Sequence, residues 1–166
     1  TILGLSPTLE RYGSYELLAL KMRELFADHV GAQRELFSRI AFNILCSNTD
    51  DHLSNHAAFW NGSTLELTPA YDICPQSRAG DASLATAIDA SFRIANLRGL
   101  LDRAALFQLD PRDGQEIIDH QLGVIESSWP EVCELAEVSA ETQERLYWKK
   151  QFLNPASLDG YREASP

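Results

Sequence analysis

The chain has few cysteines, a deficit of positive charge and no long apolar run. Its three cysteines, Cys46, Cys74 and Cys133, are odd in number and far apart. They form no Cys-x-x-Cys pair, which argues against a thiolate zinc site and against a disulfide framework. Cys46 sits in an apolar run and reads as a small core residue. Lysine and arginine total 14 against 24 acidic residues, giving a net charge of −10. Such a chain is repelled by nucleic acid and by anionic bilayers, so no direct nucleic-acid binding is expected. No stretch approaches the ~20 apolar residues that cross a bilayer, and no basic segment leads into an apolar one as in a secretory signal. No membrane association is therefore expected, and the cysteine pattern suits a reducing cytoplasm. The sequence does not start with Met, so Thr1 reads as a position inside a longer protein or the start of a fragment.

What is present suffices for one compact domain over residues 1–166. Of these 166 residues, 45% are hydrophobic and 23% charged, ordinary globular proportions with enough apolar surface for a core. Thr1–Tyr12 reads as a loop broken by Gly4 and Pro7. Leu17, Leu18, Leu20, Met22, Leu25 and Phe26 approximate one face of a helix over Tyr15–Ala27, with Ser14 as its N-cap. Gly31 interrupts the pattern. A second, central helix is expected over Ala32–Ser47, where Leu36, Phe37, Ile40, Ala41, Ile44 and Leu45 recur at helical spacing.

The polar run Ser47-Asn48-Thr49-Asp50-Asp51-His52 ends that helix, because these side chains compete for backbone hydrogen bonds. Asn61-Gly62 between Ala57–Trp60 and Thr64–Leu67 predicts a β-hairpin. Gln76–Ser83 reads as a mobile loop, and the stretch to Gly99 carries no clear period. Farther on, Asp102 is expected to cap a short helix through Phe107. Asp110-Pro111 opens a helix carrying Ile117, Ile118, Leu122, Val124 and Ile125. Pro130 starts another, Ser139 caps a last one through Phe152, and the tail after Asn154 frays. The expected fold class is mainly α with a short β-hairpin.

The chemistry concentrates on the polar loop. A helix before it and a hairpin after it would hold it rigidly, and Asp72 returns just past the hairpin. Converging carboxylates and an amide oxygen suit a hard cation. Phosphoryl transfer from ATP needs a carboxylate for the attacking hydroxyl, and an amide oxygen and a second carboxylate for Mg²⁺. Asp50 and Asn55 form Asp-x-x-x-x-Asn, the spacing of a kinase catalytic loop. Asp72 stands where the hairpin of a kinase is followed by its metal-binding acid. Asp51 and Asn48 are better read as cap and turn residues.

At this point the sequence resembles a known family. The run Phe42–His56, containing Asn48-Thr49-Asp50-Asp51-His52-Leu53-Ser54-Asn55, and the later Leu67-Thr68-Pro69-Ala70-Tyr71-Asp72 are similar to HipA-type toxin kinases. That resemblance implies a protein-kinase-like C-terminal lobe and a serine/threonine kinase using ATP and Mg²⁺. It implies Asp50 as catalytic base, Asn55 and Asp72 as Mg²⁺ ligands, and His52 among the residues around the nucleotide, bracing the loop. Ile73-Cys74 follows Asp72, as is usual in that family. The resemblance further implies a protein substrate such as an aminoacyl-tRNA synthetase and restraint by a HipB-like antitoxin within a toxin–antitoxin system. One departure stands out: no strand–glycine-loop–strand segment precedes Tyr12, and Lys21 falls within the first helix. The N-terminal lobe that covers ATP is missing from the sequence, so weak nucleotide binding and little turnover are expected of the chain alone.

Two other readings remain. His52 and His56 are spaced like half of a zinc-hydrolase motif, but Leu53 stands where His-Glu-x-x-His needs glutamate. A metal-dependent hydrolase would use Asp50, His52, His56 and Asp72. A non-catalytic helical interaction module would present Trp129, Tyr147 and Trp148 as a surface patch, although such aromatics belong more often to a core or satellite cluster.

Overall fold

The computed structural model describes residues 2–6 and 12–162, apart from the side chain of Leu146. Pro7 and half of the loop expected over Thr1–Tyr12 lie outside the described residues. The fold is mainly α with one two-stranded antiparallel sheet.

Helix α1 spans Tyr15–Leu25, and Ser14 caps it by accepting from the Leu17 amide. Its inward face is Tyr15, Leu18, Ala19 and Met22. Leu17 and Leu20, expected on that face, are exposed. Helix α2 spans His29–Leu45. It begins before Gly31 because Asp28 is the N-cap and its carboxylate accepts from the Gly31 amide at 2.8 Å. A Cβ on Gly31 would stand 2.2 Å from Asp28 Oδ2, so the glycine admits the cap rather than breaking the helix. The six apolar residues Leu36, Phe37, Ile40, Ala41, Ile44 and Leu45 are all fully buried, which makes α2 the axis of the core.

A hairpin follows, β1 (Ala58–Trp60) pairing with β2 (Leu65–Leu67), with Phe59 opposite Glu66. Its turn is held by Asn61 Oδ1, which accepts from the Ser63 and Thr64 amides, with Gly62 at φ +101°. Arg39 on α2 donates to the Thr68 carbonyl at 2.7 Å and fixes the hairpin's exit.

The stretch without a clear period folds as an irregular ladder. Leu84 donates to the Arg93 carbonyl and Ala95 to that of Ala82. Nor is the whole of Gln76–Ser83 a free loop: Arg78 donates to the Ala95 carbonyl and the Ser157 hydroxyl, and Asn154 donates to the Arg78 carbonyl.

Helix α3 is Leu97–Leu101, capped by Asn96. Asp102 ends it rather than opening the next element, a 3-10 turn over Ala104–Phe107. Helix α4 starts at Pro111 after the Asp110 cap, as the sequence predicts, and continues through Pro130 to Leu135. Pro130 is on the exposed side, where a carbonyl deprived of its intrahelical donor can turn to water. Ser139 caps α5 (Ala140–Thr142), which widens into a π-type turn ending at Tyr147, well short of Phe152. Trp129, Trp148 and Phe152 form a satellite cluster with ring centroids 5.1 Å apart. The chain past Asn154 does not fray at once: it forms α6 (Pro155–Leu158), burying Ser157 and Tyr161. Residues 163–166 lie outside the described residues.

Candidate functional site

The end of α2 aims the polar loop. Ser47 adopts φ +55°, and the Asn48 amide returns to the Asn43 carbonyl at 2.8 Å while the Ser47 amide reaches that of Ile44. This is a Schellman closure with serine in the left-handed position where glycine is usual. The loop then runs across the buried end of α1 to a 3-10 turn, Leu53–Asn55.

Adjacent acids of this loop point opposite ways. The Asp50 side chain is 71% exposed, with its Oδ1 3.2 Å from His52 Nε2. The Asp51 side chain is 5% exposed, and its Oδ2 accepts from three elements. Tyr15 on α1 donates at 2.6 Å, Asn43 on α2 at 2.9 Å, and His56 Nε2 at 3.0 Å. The Asp51 carbonyl accepts from Thr86 Oγ1, and the Thr49 carbonyl from the Ala85 amide, so the ladder region clasps the same loop. Asn48 donates to Asn43 Oδ1 and orients that amide toward Asp51.

The electrostatics follow from this arrangement. Burial pushes the Asp51 carboxyl up, but the hydrogen bond and charge of His56, then the Tyr15 and Asn55 side chains, outweigh it and hold the group below its ordinary range. The Tyr15 hydroxyl moves well above its ordinary value, first by burial and then by the Asp51 charge and hydrogen bond. Cys46 is pushed up to about 11, mainly by burial, which makes it an inert core thiol.

Asn55 Nδ2 is buried without a well-formed hydrogen bond, beside the Asp51 carboxylate that its side chain helps to keep ionised. With that nitrogen turned inward, the amide oxygen is the atom Asn55 can offer a cation. Asp72 is exposed and held at φ +59°, a left-handed conformation that Asp tolerates at some cost. Its neighbour Tyr71 donates to the Ser54 carbonyl at 2.6 Å, tying the chain before Asp72 to the chain before Asn55. Asn55, Tyr71 and Ile73 border one cavity of about 260 Å³, which Asp51 and His56 also line. Asp50 and Asp72 both lie outside that lining, so of the three predicted site residues only Asn55 borders the cavity.

The two histidines serve different acids. His52 is half exposed beside Asp50, whereas the buried His56 braces the loop through Asp51 and packs edge-on against Tyr15 with centroids 5.7 Å apart. Bracing, expected of His52, is thus carried mainly by His56. Among the described residues no three of His, Cys, Asp and Glu are grouped to hold a metal. Asp50, His52, His56 and Asp72 therefore do not form the ligand set that a metal-dependent hydrolase would need. Trp129, Tyr147 and Trp148, which an interaction module would present, are each half-buried, and Trp129 packs against Trp148 and Phe152. Sequence reasoning missed the network of Tyr15, Asn43, Asp51, His56 and Thr86. The one signal for it was the run of polar residues at the end of an otherwise apolar α2.

A family model of the HipA-like C-terminal domain matches residues 1–129. The chain belongs to that family. A curated relative from Haemophilus influenzae, named "Putative kinase", is 38% identical over 64 residues, which cover 38% of this chain and 19% of that protein. The chain thus aligns with far less than two thirds of that relative's length. The match to the HipA-like domain includes α1, α2, the polar loop, the hairpin and most of α4.

Proposed function

We propose that this HipA-like domain is the protein-kinase-like C-terminal lobe of an enzyme that transfers the γ-phosphate of ATP to a Ser or Thr hydroxyl of a protein. The observation that carries this reading is the opposite orientation of Asp50 and Asp51. One acid is locked into the core by three donors, and the other is held out at the surface by the same peptide.

In this mechanism Asp50 accepts the proton of the attacking hydroxyl. The hydroxyl oxygen bonds to the γ-phosphorus, and the bond to the departing ADP breaks. His52, 3.2 Å away, orients the Asp50 carboxylate. Asn55 Oδ1 and the Asp72 carboxylate would hold Mg²⁺, which would neutralise phosphate charge. An amide oxygen and a carboxylate are the hard oxygen donors that this ion prefers. A partner lobe would supply the cover over ATP. An aminoacyl-tRNA synthetase as substrate and a HipB-like antitoxin as restraint complete the proposal as a toxin–antitoxin kinase.

The test is transfer of labelled γ-phosphate from ATP to protein by the full-length protein. Asp50→Asn and Asp72→Asn should each lower the rate by at least about 100-fold while thermal unfolding stays within a few degrees of wild type. Wild-type rates in either variant would overturn the assignment.

A further inference from the structure

We infer that Asp51 is a positioning residue for this site, acting through the backbone of the loop rather than by touching substrate. The inference rests on the kinase reading above and goes beyond it, since kinase spacing assigns Asp50 and Asn55 and is silent on the residue between them.

The argument starts from what fixes the loop. Residues 48–52 have no helix or strand to hold them, and the 3-10 turn that follows has only three residues. Short 3-10 segments are weakly held by their own hydrogen bonds. Rigidity must come from outside, and it arrives at one carboxylate. Tyr15, Asn43 and His56 converge on Asp51 Oδ2 from α1, α2 and the end of the 3-10 turn. Thr86 holds the carbonyl of the same residue. Asn43 is itself held by Asn48, so the network closes on both sides of Asp50.

These bonds are buried and end on an ionised acceptor, so each is stronger than a neutral bond and more directional than apolar packing. The two groups that the reading assigns to chemistry sit beside this anchor. Asp50 shares a peptide bond with Asp51, and Asn55 precedes the bonded His56. Asn55 also turns its amide nitrogen toward Asp51. Loosening Asp51 therefore displaces the base and one metal ligand together, while Asp72 retains its tie through Tyr71. Displacement of reacting groups by about 1 Å can cost two orders of magnitude in rate.

The test uses the full-length protein with Asp51→Ala and Asp51→Asn, assayed well below their unfolding temperatures and normalised to folded protein. Asp51→Ala should lower kcat by at least about 30-fold, with any rise in KM for Mg-ATP smaller than that fall. Asp51→Asn keeps an oxygen acceptor and should recover at least about a third of the logarithmic loss. A structural role alone would lower the folded fraction and leave kcat per folded molecule unchanged, and that result overturns the inference. If Asp51→Ala does not fold, Asp51→Asn carries the test: a kcat per folded molecule at least about threefold below wild type supports positioning, and a wild-type kcat overturns it.

A second readout does not depend on activity. Amide hydrogen exchange across residues 50–55 should accelerate at least about tenfold in Asp51→Asn, with no change across 36–45 of α2. Unchanged exchange at 50–55 overturns the inference. If wild type transfers no phosphate yet exchange accelerates as stated, the kinase reading fails while the anchoring role of Asp51 stands.

Discussion

Replacing Tyr15 with phenylalanine isolates one bond of the buried network. The ring is fully buried and packs edge-on against His56, and phenylalanine preserves both contacts. What disappears is the hydroxyl, which donates to Asp51 at 2.6 Å. A buried hydrogen bond to a charged acceptor contributes about 1.5–3 kcal/mol. Asp51 keeps its bonds from Asn43 and His56, so no bare carboxylate is stranded, and the expected loss is about 2 kcal/mol. Urea unfolding followed by fluorescence of the three tryptophans measures it. With a slope of about 2 kcal/mol per molar urea, the midpoint should fall by about 1 M at unchanged slope. The pH dependence supplies an independent sign. Burial, then the Asp51 charge, raises the folded pKa of Tyr15, so above pH about 10 the unfolded chain loses a proton that the folded chain keeps. Stability is fully present below that pH and falls as pH rises further. Tyr161, also raised by burial and by Asp119, adds to the same decline, so the difference between wild type and Tyr15→Phe is the quantity to plot. That difference should shrink above pH about 10. A midpoint shift below about 0.2 M, or a gap constant to pH 11, would refute the role assigned to this bond.

Three further outcomes follow from individual residues. Ser47→Gly should stabilise the protein by about 1 kcal/mol, seen as a higher urea midpoint, because it relieves a left-handed serine whose buried hydroxyl has no hydrogen-bond partner among the described residues. Native protein should show one fast thiol toward a maleimide, Cys74, with the buried Cys46 and Cys133 reacting only after unfolding; labelling followed by peptide mass analysis decides it. The 166-residue chain alone should bind Mg-ATP with a Kd above about 1 mM in calorimetry, since its sequence holds no glycine-rich phosphate loop, and tighter binding would contradict that expectation.

The legible parts of the fold were those in which local pattern and burial agree. The α2 period, the Ser14 and Asp110 caps and the Asn61-Gly62 turn each carry their cause within a few residues. Gly31 was misread because its meaning depends on the Asp28 side chain folded over it. Pro130 was misread because a helix already propagated for several turns tolerates one missing donor at its exposed side. At the site, spacing singled out Asp50 for chemistry and left Asp51 to a structural role, but it could not show the buried network that draws Asp51 inward. That network depends on Tyr15, 36 residues upstream, and on Thr86, 35 residues downstream. The bracing role of His56 is hidden in sequence for the same reason, as its contact with Asp51 is buried only once α1 closes over the loop.

The most direct measurement is the position of the metal. Crystals of the full-length protein with Mn²⁺ and a non-hydrolysable ATP analogue, with the ion located by its anomalous signal, would show it. The account predicts the ion bonded to Asn55 Oδ1 and an Asp72 carboxylate oxygen at about 2.1 Å, with Asp50 free of the metal and facing the γ-phosphate. An ion held by Asp50 with His52, or phosphates bound away from the loop, would contradict it.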